Sequence, residues 1–127
     1  MNRRASREKA LQAMFQVDVG KTEPEMAYKH VLGKEHDDGF YKQLFFGTVE
    51  KLQEIDQLIT DHLENWSLDR LANVDRNLLR ISVYEMKYQE DVPFTVSINE
   101  AVEIAKKFAD EKSGRFINGV LSKVMET

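Results

Sequence analysis

The chain has 127 residues, 42% of them hydrophobic and 31% charged, with a formal net charge of −4 and no cysteine. This composition fits one globular domain over residues 1–127 and excludes intrinsic disorder, a disulfide framework, a cysteine nucleophile and a thiolate zinc site. No apolar run reaches bilayer length and the basic start, MNRRASREKA, lacks the apolar centre of a secretory signal, so a reducing cytoplasm and no membrane partner are expected.

The first predicted helix lies in NRRASREKALQAMFQ, with Ala10, Leu11, Met14, Phe15 and Val17 forming one apolar stripe. Projected backwards at about 100° per residue, the same stripe carries Arg3, Arg4 and Arg7. Burying three unpaired guanidiniums would cost several kcal/mol each. The first turns are therefore expected to extend past the core and to offer the arginines to one neighbour. A short helix follows in GKTEPEMAYKHVLGKEHDDG. Thr22 and Glu25 have capping-box spacing, Pro24 falls in the first turn and Gly33 is the stop.

A single long helix is predicted from about Phe40 to His62, with Leu44, Thr48, Leu52, Ile55 and Ile59 on one side. ENWSLDRLAN then turns the chain. The next helix, about Val74 to Tyr88, is apolar on two faces: Val74, Leu78, Ile81, Tyr84 and Tyr88 on one, Leu79, Val83 and Met86 on the other. Such a helix is expected between layers. Pro93 breaks the pattern, Ser97 and Glu100 read as a capping box, and Ile98, Ala101, Val102, Ala105 and Phe108 form the following stripe. The last helix turns Phe116, Ile117, Val120, Leu121 and Val124 inward. It also holds Gly119, where a neighbouring helix is expected to come close. With no strand alternation, the fold class is all-α, with six or seven helices.

Charge is distributed unevenly. Residues 1–9 carry Arg3, Arg4, Arg7 and Lys9 against Glu8, and residues 106–123 carry Lys106, Lys107, Lys112, Arg115 and Lys123 against Asp110 and Glu111. Two basic ends on an acidic body suggest a localised polyanion site. Enzyme signatures are lacking: no glycine-rich phosphate loop, no G-x-S-x-G elbow, no H-E-x-x-H, and His30, His36 and His62 share no ligand spacing. No catalytic residue, metal or cofactor is assigned, which leaves binding. Arginines suit bidentate phosphate contacts and base stacking. Lys112, Arg115, Phe116 and Asn118, at the start of the last helix, add cations, an aromatic and an amide of the kind that bind single-stranded RNA. Phe116 also fits the apolar stripe, and that core role has the stronger support from periodicity. Phe15 at a stripe edge and Asp75 in a first turn have ordinary structural roles open to them too.

The segments RRASREKALQAMFQ, LDRLANVDRNLLRISVYEM, DVPFTVSINEAVEIAKKF and RFINGVL occur in the order seen in the NusB family of bacterial transcription antitermination factors, and the chain resembles that family over nearly its whole length. The resemblance implies two packed helical sub-bundles and an adaptor that binds boxA-type single-stranded RNA of ribosomal RNA transcripts. Its partners would be NusE, a small-subunit ribosomal protein, and the RNA polymerase antitermination complex; a homodimer is a further partner left open. Arg3, Arg4 and Arg7 match the family's arginine-rich RNA-contacting segment, and Phe116 matches an aromatic at the RNA surface. Phe15 and Asp75 fall where the family faces NusE. Lys112 is assigned to RNA by charge and proximity alone. Ser6 stands where alanine is common, a change read as harmless in an exposed turn. The other class of function left open is a helical interaction or dimerisation module without direct RNA contact. Loss of Arg4 and Arg7 together is expected to weaken RNA binding and leave stability nearly unchanged.

Overall fold

The structure is a computed structural model describing residues 1–127, and it is entirely helical. Seven α-helices, α1 (Arg3–Asp18), α2 (Pro24–Leu32), α3 (Phe40–Glu50), α4 (Leu52–Asp61), α5 (Asn73–Tyr88), α6 (Phe94–Phe108) and α7 (Glu111–Met125), are joined by short connections. A single 3-10 turn, Leu68–Arg70, precedes α5. Helices α1, α2 and α3 pack together as one group, α6 packs on α7, and α5 contacts α1, α3, α4, α6 and α7. The two-faced pattern of α5 has this consequence: Leu78, Leu79, Ile81, Val83 and Met86 are all buried, on both sides of the helix. No helix is long and apolar enough to cross a membrane.

Local chemistry sets the helix ends. The Asn2 side chain accepts a hydrogen bond from the Ala5 N–H at 2.7 Å, capping α1. Pro24 opens α2, where its missing N–H removes nothing, and Gly33 ends it at φ 61°. Asp110 caps α7 by accepting from the Ser113 N–H at 2.8 Å.

Four expectations are corrected. The helix predicted over Phe40 to His62 is two, broken at Lys51 (φ −100°, ψ 18°). Thr48 Oγ1 donates back to the Leu44 carbonyl at 2.6 Å, an arrangement that bends helices. The break lets the shared apolar stripe change partners: α3 lies on α1, α2 and α5, and α4 on α5 and α7. Neither capping box forms. The residue before α2 is Glu23, with no side-chain cap, and α6 starts directly after Pro93, placing Ser97 and Glu100 within the helix. No neighbouring helix approaches Gly119, where an added Cβ would meet nothing within 4 Å. The close approaches are at Gly47, where a Cβ would overlap the Tyr84 ring, and at Gly114, beneath Lys106 and Val102. Ser6 is not in an exposed turn; it is fully buried, and its hydroxyl has no hydrogen-bond partner.

Candidate nucleic-acid and partner interface

The three arginines of α1 fall into three environments, graded by their distance from the core. Arg7 is buried between α1, α5 and α6, its side chain 7% exposed. Its Nε and Nη2 donate to the two carboxylate oxygens of Glu85 at 2.8 and 2.7 Å, and its Nη1 donates to Glu100 at 3.0 Å. Ser97 also donates to Glu85, at 2.7 Å. Arg4, partly exposed, makes a two-point contact with Glu100 through Nε (2.8 Å) and Nη2 (2.5 Å). Arg3, the most exposed, reaches Asp91 at 3.2 Å and stacks over the Phe40 ring at 4.3 Å.

This arrangement corrects the expectation that all three arginines project past the core. Arg7 stays on the buried stripe because α5 and α6 bring carboxylates to meet it, which removes the cost of an unpaired charge. It also corrects the expectation that Arg7 can be lost with stability nearly unchanged. The hydrogen bonds from Arg4 hold the Glu100 carboxyl below the usual glutamate range, despite burial acting the other way.

Basic residues continue along the surface. Glu8, one turn after Arg4, accepts from Lys107 of α6 at 2.9 Å. The stem of Lys106 lies against Gly114 in the first turn of α7, and Lys112, Arg115 and Asn118 are exposed on that helix. The exposed cations Arg4, Lys107, Lys106 and Arg115 therefore cross three adjacent helices, α1, α6 and α7.

Phe116 is partly buried against the core, as its place in the stripe requires, and its remaining surface lines a cleft of about 420 Å³ with Trp66, Arg70, Asp75, Lys112 and Ser113. Asp75 accepts a hydrogen bond from the Ser113 hydroxyl, and burial raises its carboxyl above the usual aspartate range. Arg3 meets Asp91, just beyond the C-terminal end of α5, whereas Phe116 sits beside Asp75 in its first turn. The two ends of α5 are roughly 20 Å apart, from the rise per residue of an α-helix. The arginines and Phe116 therefore stand at opposite ends of the basic track.

Phe15 is exposed and shares a helical stripe with Arg4, Glu8 and Leu11, whose polar members face α6. One turn further on, Asp18 bonds Arg76 and Asn77, so Phe15 and Asp75 belong to the same end of the molecule. Burial pushes the Asp18 carboxyl up, but Arg76, Asn77 and Arg80 together outweigh it and hold the group below its ordinary range. Sequence reading missed Glu85, Ser97 and Glu100 as the residues that organise the arginines. The available signal was an acid, Glu85, within a helix apolar on two faces.

Comparison with known proteins gives a consistent result. A model of the NusB family matches residues 4–126. Transcription antitermination protein NusB of Geobacillus kaustophilus is 58% identical over 124 residues, spanning 98% of this chain and 95% of that protein. Its counterpart in Bacillus subtilis is 52% identical over the same shares of each chain. Among solved structures, T. maritima NusB aligns with a TM-score of 0.92 at 37% identity, covering 99% of this chain and 92% of that one. A complex of antitermination factors NusB and NusE with double-stranded RNA contains a chain that aligns at 0.89 with 32% identity, covering 98% and 96%.

Proposed function

The chain belongs to the NusB family, and from that we propose that it is a non-enzymatic RNA-binding adaptor of transcription antitermination. It acts in the cytoplasm, binding boxA-type RNA together with NusE in the RNA polymerase antitermination complex. The observation that carries this reading is the track of exposed cations from Arg4 across Lys107 and Lys106 to Arg115, ending beside Phe116. Each phosphate neutralised along it releases counterions, and the aromatic and amide at its far end, Phe116 and Asn118, suit unpaired bases. In this reading Arg3, Arg4, Lys112, Arg115, Phe116 and Asn118 contact RNA. Phe15 and Asp75 face NusE, and Arg7 anchors the surface from beneath. NusE and RNA, presented with one composite surface, each raise the affinity of the other by linkage.

The test is titration of a boxA-like single strand, its duplex form and a scrambled strand, with and without NusE. Salt-dependent preference for the boxA-like strand, strengthened by NusE, is the expected result. A second reading, an interaction or dimerisation module, is favoured by one observation: Arg3, Arg4 and Arg7 all have carboxylate partners within the fold. Equal, weak binding of all three nucleic acids with a stable dimer in sedimentation would select it.

A further inference from the structure

The positive charge on α1 and at the C-terminal end of α6 is balanced where it stands. Arg3 faces Asp91, Arg4 and Arg7 share Glu100, Arg7 also holds Glu85, Lys107 meets Glu8, and Lys106 meets Glu103. An RNA phosphate arriving at these side chains does not meet free cations; it must compete with their carboxylates. The competition differs in kind among these pairs. Lys106 and Lys107 are ammonium groups that can turn toward a new anion while keeping the old one near. Arg4 presents a planar fork, and the Nε–Nη2 edge of that fork is occupied at both positions by Glu100. That edge is one the guanidinium would use for a two-point phosphate contact. Its Nη1 makes no protein hydrogen bond, so the Nη1–Nη2 end of the fork is left to donate a first contact to phosphate while the Nε edge stays on Glu100.

We propose that Glu100 is an internal counter-anion with which RNA phosphate competes for Arg4, and that it thereby sets the stringency of RNA binding. The inference rests on the RNA-binding reading above. Three geometric facts support it. Glu100 is only 21% exposed, whereas Arg4 is 41% exposed, so the arginine can swing outward from a carboxylate that stays in place. Arg7 does not depend on Glu100, because Glu85 already holds its other edge. Glu100 thus has a second cation to face once Arg4 leaves, which lowers the cost of exchange. A strand that makes only backbone contacts gains little by replacing one anion with another at Arg4. A strand whose bases are also bound further along the track can make the exchange favourable. The carboxylate therefore subtracts affinity from every RNA, and proportionally most from those that bind through phosphates alone.

The experiment measures wild-type protein and Glu100→Gln against a boxA-like strand and a scrambled strand over a range of salt, with NusE present and absent. Glutamine keeps the shape and one acceptor while removing the competing charge. Several-fold tighter binding of both strands is expected, with a smaller ratio between them and a salt dependence steeper by up to about 0.7, one single-strand phosphate. Glu103→Gln, which removes the same charge from an exposed neighbour bonded only to Lys106, should not reproduce the gain. In an Arg4→Ala background the gain should vanish. Unchanged or weaker binding by Glu100→Gln, an equal gain from Glu103→Gln, or a gain that survives Arg4→Ala would each overturn the inference. Glu100→Asp, which keeps the charge but shortens the reach, guards against misfolding of the glutamine variant: it should bind more tightly than wild type, and the same or weaker binding counts against the proposal. If no variant, wild type included, binds either strand with or without NusE, the RNA-binding reading itself fails.

Discussion

The guanidinium of Arg7 and the carboxylate of Glu85, 78 residues apart in the chain, meet through two hydrogen bonds of 2.8 and 2.7 Å in a site where both side chains are more than nine-tenths buried. This pair fixes α1 against α5 and so determines where the exposed Arg4 and Arg3 stand.

Removing one partner leaves an uncompensated buried charge. Arg7→Ala should therefore lower stability by about 3–5 kcal/mol, seen as a shift of the urea midpoint. Replacing Arg7 by Met together with Glu85 by Leu should recover most of that loss. Any fall in RNA binding by Arg7→Ala would then track unfolding, and normal stability in the single variant would show that the pair is dispensable.

Arg4→Ala should behave differently, because its pair with Glu100 is partly solvated and worth little to the fold. Thermal unfolding should change slightly. Affinity for a boxA-like strand should fall, and the slope of log K against log salt should become shallower. The change should be less than the value of about 0.7 for a full single-strand phosphate, because Glu100 already cancels part of the Arg4 charge. An unchanged slope would remove Arg4 from the phosphate contacts.

Asp75 is held against stability. Burial raises its carboxyl pKa in the folded chain, so its ionised form is disfavoured by folding. That cost is present above the folded pKa and disappears as pH falls below the unfolded value. Asp75→Asn should raise the melting temperature at neutral pH and lose the advantage in acid. Asp75→Lys should impair capture of NusE while sparing intrinsic RNA binding; equal capture in a pull-down would remove Asp75 from that interface. Glu100 has the opposite sign. Its lowered pKa contributes stability above the ordinary glutamate range, and this contribution is lost as pH falls through the folded value.

Two small residues should respond in opposite ways to added carbon. Gly119 faces open space in the exposed interior of α7, so Gly119→Ala should stabilise by about 0.5–1 kcal/mol. At Gly47 a Cβ would overlap the Tyr84 ring, and Gly47→Ala should destabilise by about 1–3 kcal/mol. Calorimetry of the two variants measures both signs.

Ser6 provides a further stability test. Its buried hydroxyl lacks any hydrogen-bond partner, so Ser6→Ala should raise stability by about 1 kcal/mol. An unchanged melting temperature would mean that the hydroxyl is satisfied in solution.

Periodicity and turn residues identified the helical class, the sandwiched α5, the stop at Gly33 and an arginine-bearing stripe on α1. These are local properties: a side chain's position around a helix follows from its number, and turn chemistry acts over a few residues. Pro93, expected to break α5, instead stands directly before α6, and α5 ends at Tyr88. The break at Lys51 was illegible because the apolar stripe runs through it unbroken, and only the change of packing partner marks it. The roles of Ser97 and Glu100 were misread for the same reason. Their spacing satisfies a capping rule, but their true partners lie on α1 and α5. Whether an arginine is offered to solvent or neutralised in place depends on which carboxylates other helices bring to it, a relation between residues 78 to 96 positions apart. Sequence determined that the charged face exists; tertiary packing decided that Arg7 is structural, that Arg4 and Arg3 remain near the surface, and that Phe116 stands at the opposite end of α5. Coulomb energy depends on distance in space and on local dielectric, and neither is fixed by order along the chain.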